Sequence, residues 1–173
     1  MYYDALGVKH DYKEAFKWYL KAAEQGDVGA QYNIGMMYTM ALGVKQDHKE
    51  AFKWYLKAAE QGYGEAQYYI GAMYDNAIGV KQDYKEAFKW YLKAAEQGHV
   101  SAQYHLAILY DKGEGVMQSK KKSYIWNTIA AVNGHENASK NRVIDAKNLS
   151  PQGLEEAQEE VAKLYEQIYI LWN

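Results

Sequence analysis

The sequence contains no cysteine, which excludes a disulfide framework, thiolate chemistry and any Cys-ligated metal centre. It contains no run of about 18 apolar residues, so no segment is fit to span a bilayer. It carries no excess of either charge: 20 Lys plus Arg stand against 22 Asp plus Glu, a net charge of −2, where a nucleic-acid binder would show a basic surplus. Nucleic acid and a membrane span are therefore left out of the expected partners. No basic stretch followed by an apolar one opens the sequence as a signal peptide would. The lack of cysteine suits a reducing compartment and favours the cytoplasm, an order that an upstream export signal would reverse toward the periplasm or the exterior.

What is abundant is apolar and aromatic. Of the 173 residues 49% are apolar and 15% aromatic, with 18 Tyr and 5 Trp, ample for a packed interior and inconsistent with disorder. This material is organised as repeats. GVKHDYKEAFKWYLKAAEQG begins at Gly7, GVKQDHKEAFKWYLKAAEQG at Gly43 and GVKQDYKEAFKWYLKAAEQG at Gly79, a constant offset of 36 residues. Self-similarity at such a period is the signature of a stacked array.

Each unit reads as a helix hairpin. Asp11, Asp47 and Asp83 stand three residues before Glu14, Glu50 and Glu86, the spacing of an N-cap with a reciprocal carboxylate. The helix they open runs through EAFKWYLKAAEQ and stops at Gly26, Gly62 or Gly98, where glycine most easily takes a left-handed conformation. A second helix carries AQYNIGMMY from Ala30, AQYYIGAMY from Ala66 and AQYHLAILY from Ala102. In it Gly35, Gly71 and Ala107 precede Tyr38, Tyr74 and Tyr110 by one turn, and the spacing predicts close helix approach with the ring filling the adjacent gap. Turns at Gly43, Gly79 and Gly115 are expected at positive φ.

One solenoid over 1–173 follows, with a partial repeat at 1–6, repeats at 7–42, 43–78 and 79–114, a diverged repeat at 115–149 and a capping helix at 150–173. Met1 and Tyr2 are in register with Met37 and Tyr38, so the sequence is read as opening inside a repeat, with an apolar N-terminal end suited to self-association. In the diverged copy Trp126 aligns with Trp90 and Gly134 with Gly98, but Arg142 takes the slot of Leu106 and Ala146 that of Tyr110. Ser150 and Pro151 then read as N-cap and first helical residue of a last amphipathic helix.

The order A-x-x-x-L-G-x-x-Y, then G-V, then D-x-x-x-A-x-x-W-x-x-K-A-A-x-x-G resembles the Sel-one-like repeat (SLR), a tetratricopeptide-related helix hairpin. The resemblance covers residues 1 to about 149, and NRVIDAKNLSPQGLEEAQ from Asn141 is similar to the tail that closes bacterial members. It implies an all-α, right-handed α-solenoid. It also implies a non-catalytic scaffold or adaptor that binds a protein or peptide, with no cofactor. By the same resemblance the AQY helices line the concave face, which places Tyr32, Asn33, Met36, Met40, Tyr68, Tyr69, Asp75, Asn76, Tyr104, His105, Ile108, Asp111 and Lys112 in a partner-binding groove. Apart from the tyrosine ladder Tyr32, Tyr68 and Tyr104, these positions differ between repeats far more than the rest does, and tyrosine rings with polar tips suit a protein interface.

Other readings compete with this one. Tyr32, Tyr68 and Tyr104 have equal claim to be packing between repeats. An immunity or inhibitor protein that occludes a toxin or enzyme would use the same concavity. A β-lactam-binding or hydrolysing branch of the family is cysteine-rich, a pattern that a cysteine-free chain cannot form. Asp75 and Asp111 are the best acid/base candidates, yet nothing nearby in sequence supplies an oxyanion site. The lysine rows, such as Lys49, Lys53 and Lys57, alternate with glutamates and read as a solvated helix face. The spacings of His10, His48, His99, His105 and His135 are not those of helical metal-ligand pairs.

Overall fold

The computed structural model describes residues 11–170. The partial repeat at 1–6, the start of the first full repeat, His10 and the end of the capping helix lie outside the described residues, as does most of the N-terminal end on which self-association is expected. Among the described residues there are nine α-helices and no strand: α1 Tyr12–Glu24, α2 Val28–Met40, α3 His48–Glu60, α4 Gly64–Asp75, α5 Tyr84–Glu96, α6 Val100–Lys112, α7 Lys120–Val132, α8 Glu136–Lys147 and α9 Pro151–Tyr169. Each helix from α1 to α8 packs on its neighbours in the chain, and α9 folds back onto α7. The architecture is an all-α repeat solenoid.

The odd helices start as their sequence predicts. Asp11, Asp47 and Asp83 each accept the backbone N–H groups of the second and third residues after them, at 2.9–3.1 Å, relieving the unpaired donors of a first turn. The reciprocal half of the box does not form. Glu14, Glu50 and Glu86 instead reach forward to Lys17, Lys53 and Lys89 at 3.1, 2.5 and 2.5 Å, because a lysine three residues on shares their exposed face. The helices end before Gly26, Gly62 and Gly98, at φ of 94°, 93° and 84°. Gly43, Gly79 and Gly115 also have positive φ. There a Cβ would lie 2.3, 2.4 and 2.1 Å from the carbonyl oxygens of Tyr12, His48 and Tyr84, so no larger residue fits these turns.

The reason for the small residues in the second helices differs from the sequence reading. A Cβ on Gly35 or Gly71 would come within 2.6 Å of the ring of Tyr55 or Tyr91, both in the following helix. Tyr38, Tyr74 and Tyr110 meet Phe16, Phe52 and Phe88 edge-on at 5.5, 5.4 and 5.3 Å, across the hairpin. The glycines thus join successive units and the tyrosines hold one unit together.

A glutamine ladder also ties the units. Gln31, Gln67 and Gln103 are buried and donate through Nε2 to the carbonyls of Ala23, Ala59 and Ala95 at 3.1–3.2 Å. Gln61 and Gln97 donate to the Oε1 atoms of Gln31 and Gln67 at 2.8 and 2.7 Å. The next rung is different, because Asn133 occupies the place of Gln97 and its amide turns back to Ile129 O. Tyr169 of α9 takes over. Its hydroxyl accepts from Gln103 Nε2 at 2.8 Å and donates to Gly98 O at 3.3 Å. Ala157 and Ile168 of α9 are buried in the same core as Tyr91, Leu106 and Trp126.

Candidate partner-binding face

The second helices α2, α4 and α6 bring the candidate residues into one row, with α8 continuing it. Tyr32, Tyr68 and Tyr104 are half-buried. Each packs on the aromatic residue that starts the next second helix: Tyr32 tilted against Tyr63 at 5.3 Å, Tyr68 stacked on His99 at 4.5 Å and Tyr104 stacked on His135 at 4.2 Å. The ladder is therefore packing between repeats, with the remaining edge of each ring left for contact. Burial raises the phenol pKa of Tyr32 and Tyr68 above its ordinary value.

A second row runs beside the first. Tyr69 lies parallel to Tyr55 at 5.1 Å, and His105 to Tyr91 at 5.2 Å. Burial pushes the Tyr55 phenol up to about 12. Asp75 accepts a hydrogen bond from the Tyr91 hydroxyl at 3.2 Å and lies 4.0 Å from His105 Nδ1. Burial holds the His105 imidazole below its usual pKa, against an upward pull from Asp75. Asp111 forms an ion pair with Lys120, so the two aspartates are engaged separately.

Asn33 and Met36 line a cavity of about 240 Å³ with Tyr12 and Tyr19. Met40 and Asn76 are exposed, and Asn76 folds its amide onto Ala72 O at 2.9 Å. Tyr104, Ile108, Asp111 and Lys112 line a larger cavity, about 380 Å³, while Lys112 pairs with Glu114 at 3.5 Å. Its other walls come from α7 and α8: Lys120, Ser123, Asn127, Asn141, Ile144 and Asp145. None of these six is among the candidate residues of the sequence. Except at Ile144, their signal is polar character at positions that are apolar or aromatic one repeat earlier.

The opposite row of helices offers less. The lysines ion-paired above are exposed, and Lys57 and Lys93 lie over the rings of Trp54 and Trp90 at 3.9 and 4.3 Å. His99 and His135 accept the N–H groups of Ala102 and Ala138 at 3.1 and 3.2 Å through Nδ1, acting as helix caps. His99 Nε2 faces Glu65 at 3.1 Å.

Comparison with known proteins agrees with this architecture. The Sel1 repeat family model matches at 1–27, 28–63, 64–99 and 100–135, starting each later unit at the second helix of the hairpin. A comparison with curated proteins returns no match. Among solved structures, c5321, described as a protective antigen present in uropathogenic Escherichia coli strains displaying an SLR fold, is similar at 37% identity and a TM-score of 0.83, over 95% of this chain and 35% of its own. A Sel1 repeat protein from Oxalobacter formigenes shares 34% identity with a TM-score of 0.76, over 91% of this chain and 64% of its own. Helicobacter pylori cysteine rich protein B shares 25% identity with a TM-score of 0.59, over 77% and 96%. The chain thus spans about a third of the first relative and just under two thirds of the second. With four matched units covering most of its length, the chain belongs to the Sel1 repeat family.

Proposed function

We propose that the protein is a non-catalytic interaction scaffold that binds a protein or peptide along α2, α4, α6 and α8, the concave side of the array. The observation that carries this reading is where the repeats differ. In the three full repeats the first helices keep KEAFKWYLKAAEQG unchanged, while the facing positions run Asn33, Tyr69, His105, then Met36, Ala72, Ile108, then Thr39, Asp75, Asp111. Packing requirements repeat with the fold, so variation confined to one face points to recognition there. The polar groups on that face support a non-catalytic role: Asp75 is engaged by Tyr91 and Asp111 by Lys120, so neither aspartate stands ready as an acid or base.

The test is a peptide-display selection on the immobilised chain, followed by hydrogen-exchange mapping of the selected peptide. Protection concentrated on α4, α6 and α8 is the expected result. Protection confined to the lysine-bearing surface of α1, α3 and α5 would overturn the assignment.

A further inference from the structure

The cavity between α6, α7 and α8 exists because the last hairpin departs from its predecessors at four neighbouring positions. Tyr55 and Tyr91 become Asn127, Tyr69 and His105 become Asn141, Ala51 and Ala87 become Ser123, and Met73 and Leu109 become Asp145. The two aromatic pairs that stack in the earlier units are thereby replaced by two asparagines, and the volume of the rings becomes a cavity of about 380 Å³.

The floor of this cavity is polar and almost closed to solvent: Ser123, Asn127 and Asp145 are 1%, 1% and 4% exposed. Ser123 Oγ donates to Asp145 Oδ2 at 2.8 Å and Asn127 Nδ2 to the same oxygen at 2.9 Å. Because a carboxylate only accepts, this fixes the orientation of the Asn127 amide. Its Oδ1 is left buried without a partner. Both donors converge on Oδ2 of Asp145, and among the described residues no hydrogen bond engages Oδ1. No cation among the described residues pairs with Asp145: Lys120 is held by Asp111 and Lys112 by Glu114. The charges at the rim are paired with one another, and Asp145 has two neutral donors but no cation partner in the interior. Such a group is costly to keep unless something pairs with it, and the earlier units show that the fold is built equally well with Met or Leu there.

We propose that this cavity is a subsite for one arginine side chain of the bound protein or peptide. A guanidinium is all donors, with five N–H groups in a planar fork, and the floor offers acceptors without donors to match, Asp145 Oδ1 and, after a small side-chain shift, Asn127 Oδ1. Tyr104, Ile108 and the exposed Ile144 form a wall for the aliphatic stem. A lysine ammonium, more strongly hydrated and compact, loses more on entering the same space. A carboxylate is repelled by Asp145. The inference rests on the even-helix face being the recognition face, but the cavity itself is testable without a partner.

The experiment is a titration of the full ¹⁵N-labelled chain with N-acetyl-arginine methylamide, and separately with its citrulline, lysine and norleucine counterparts. Saturable shifts at the side-chain amides of Asn127 and Asn141 are expected with arginine, at least tenfold weaker with uncharged citrulline. Asp145→Asn removes the charge with little change of shape and is expected to abolish the preference for arginine over citrulline. Asn141→Tyr, which restores the residue of an earlier unit, refills the cavity and is a second route to the same loss should Asp145→Asn perturb the fold. Shifts that are absent at tens of millimolar, that centre elsewhere, or that are equal for arginine and citrulline would overturn the proposal. If display-selected peptides still protect α4 and α6 in that case, the arginine subsite fails and the recognition face stands.

Discussion

The middle of the array and its last hairpin solve the same packing problem differently. Between α4 and α5 the ring of Tyr91 sits so close to Gly71 that even a methyl group is excluded, and the ring is stacked on His105. One unit later Ala107 faces Asn127, with Asn141 in the place of His105. The gain of a Cβ on one side and the loss of a ring on the other are a coupled exchange. What the difference teaches is that the middle units are specified by steric fit, whereas the last hairpin gives up fit for a polar cavity.

The strongest way to break this comparison is to add a methyl group on one side of it and remove one on the other. Gly71→Ala drives a Cβ into the Tyr91 ring and is expected to destabilise the chain by about 3 kcal/mol, read as a shift in denaturant midpoint. The opposite change one repeat later, Ala107→Gly, meets no ring and should cost only about 1 kcal/mol, the helix-propensity difference. Equal costs would show that the close approach is not what sets the residue.

A double-mutant cycle sharpens the point. Asn127→Tyr alone forces a ring against Ala107, while Asn127→Tyr with Ala107→Gly recreates the Gly71–Tyr91 pair, so a favourable coupling of about 1.5 kcal/mol is expected between the two changes. Additive behaviour would mean that the cavity is not simply a missing ring.

A smaller effect concerns pH. Burial lowers the His105 pKa below its unfolded value of 6.5, with His135 and His99 acting in the same direction and Asp75 opposing. The unfolded chain therefore binds the proton more readily. This contribution to stability is complete above the unfolded pKa and is lost as pH falls through the folded one. His105→Tyr, which installs the ring that Tyr69 supplies one unit earlier, is expected to flatten the acid side of the stability profile while preserving stacking on Tyr91. An unchanged acid limb would assign that loss to other groups. The smallest expected effect lies on the other row of helices, where Lys53→Ala breaks an exposed i,i+3 pair and should change the denaturant midpoint by less than about 0.5 kcal/mol.

Most of the fold was legible in the sequence because its determinants are local. The Asp caps, the stop glycines and the positive-φ turns act within a few residues, and a 36-residue repeat displays each of them three times. What pairs across units was not legible. Gly35 and Gly71 read as spacers for Tyr38 and Tyr74, whereas their neighbours in space are Tyr55 and Tyr91, twenty residues on. The tyrosine ladder was recognised as a ladder, yet its packing on Tyr63, His99 and His135 depends on how far each unit advances past the last. The cavity residues of α7 and α8 are harder to see, because Arg142 and Ala146 mark the divergence of this unit more openly in the slots of Leu106 and Tyr110. Ser123, Asn127 and Asp145 occupy core slots as well, and their polarity was the available clue.

The glutamine ladder bears on how such a protein changes length. Every internal rung presents the same acceptor, a Gln Oε1, to the same donor one unit further along, so a duplicated unit inserted between residues 78 and 79 meets neighbours identical to those it displaces. Growth by propagation needs no new contact to be invented. Termination does: Asn133 declines the next link, Gln103 Oε1 is left without a partner among the described residues, and Tyr169 at the end of the nineteen-residue α9 meets the Gln103 amide and Gly98 O instead. Units can thus be gained or lost in the interior while the last hairpin and α9 travel together as a fixed end, and the distance from the cavity of that end to the opposite end of the array is set in steps of one repeat.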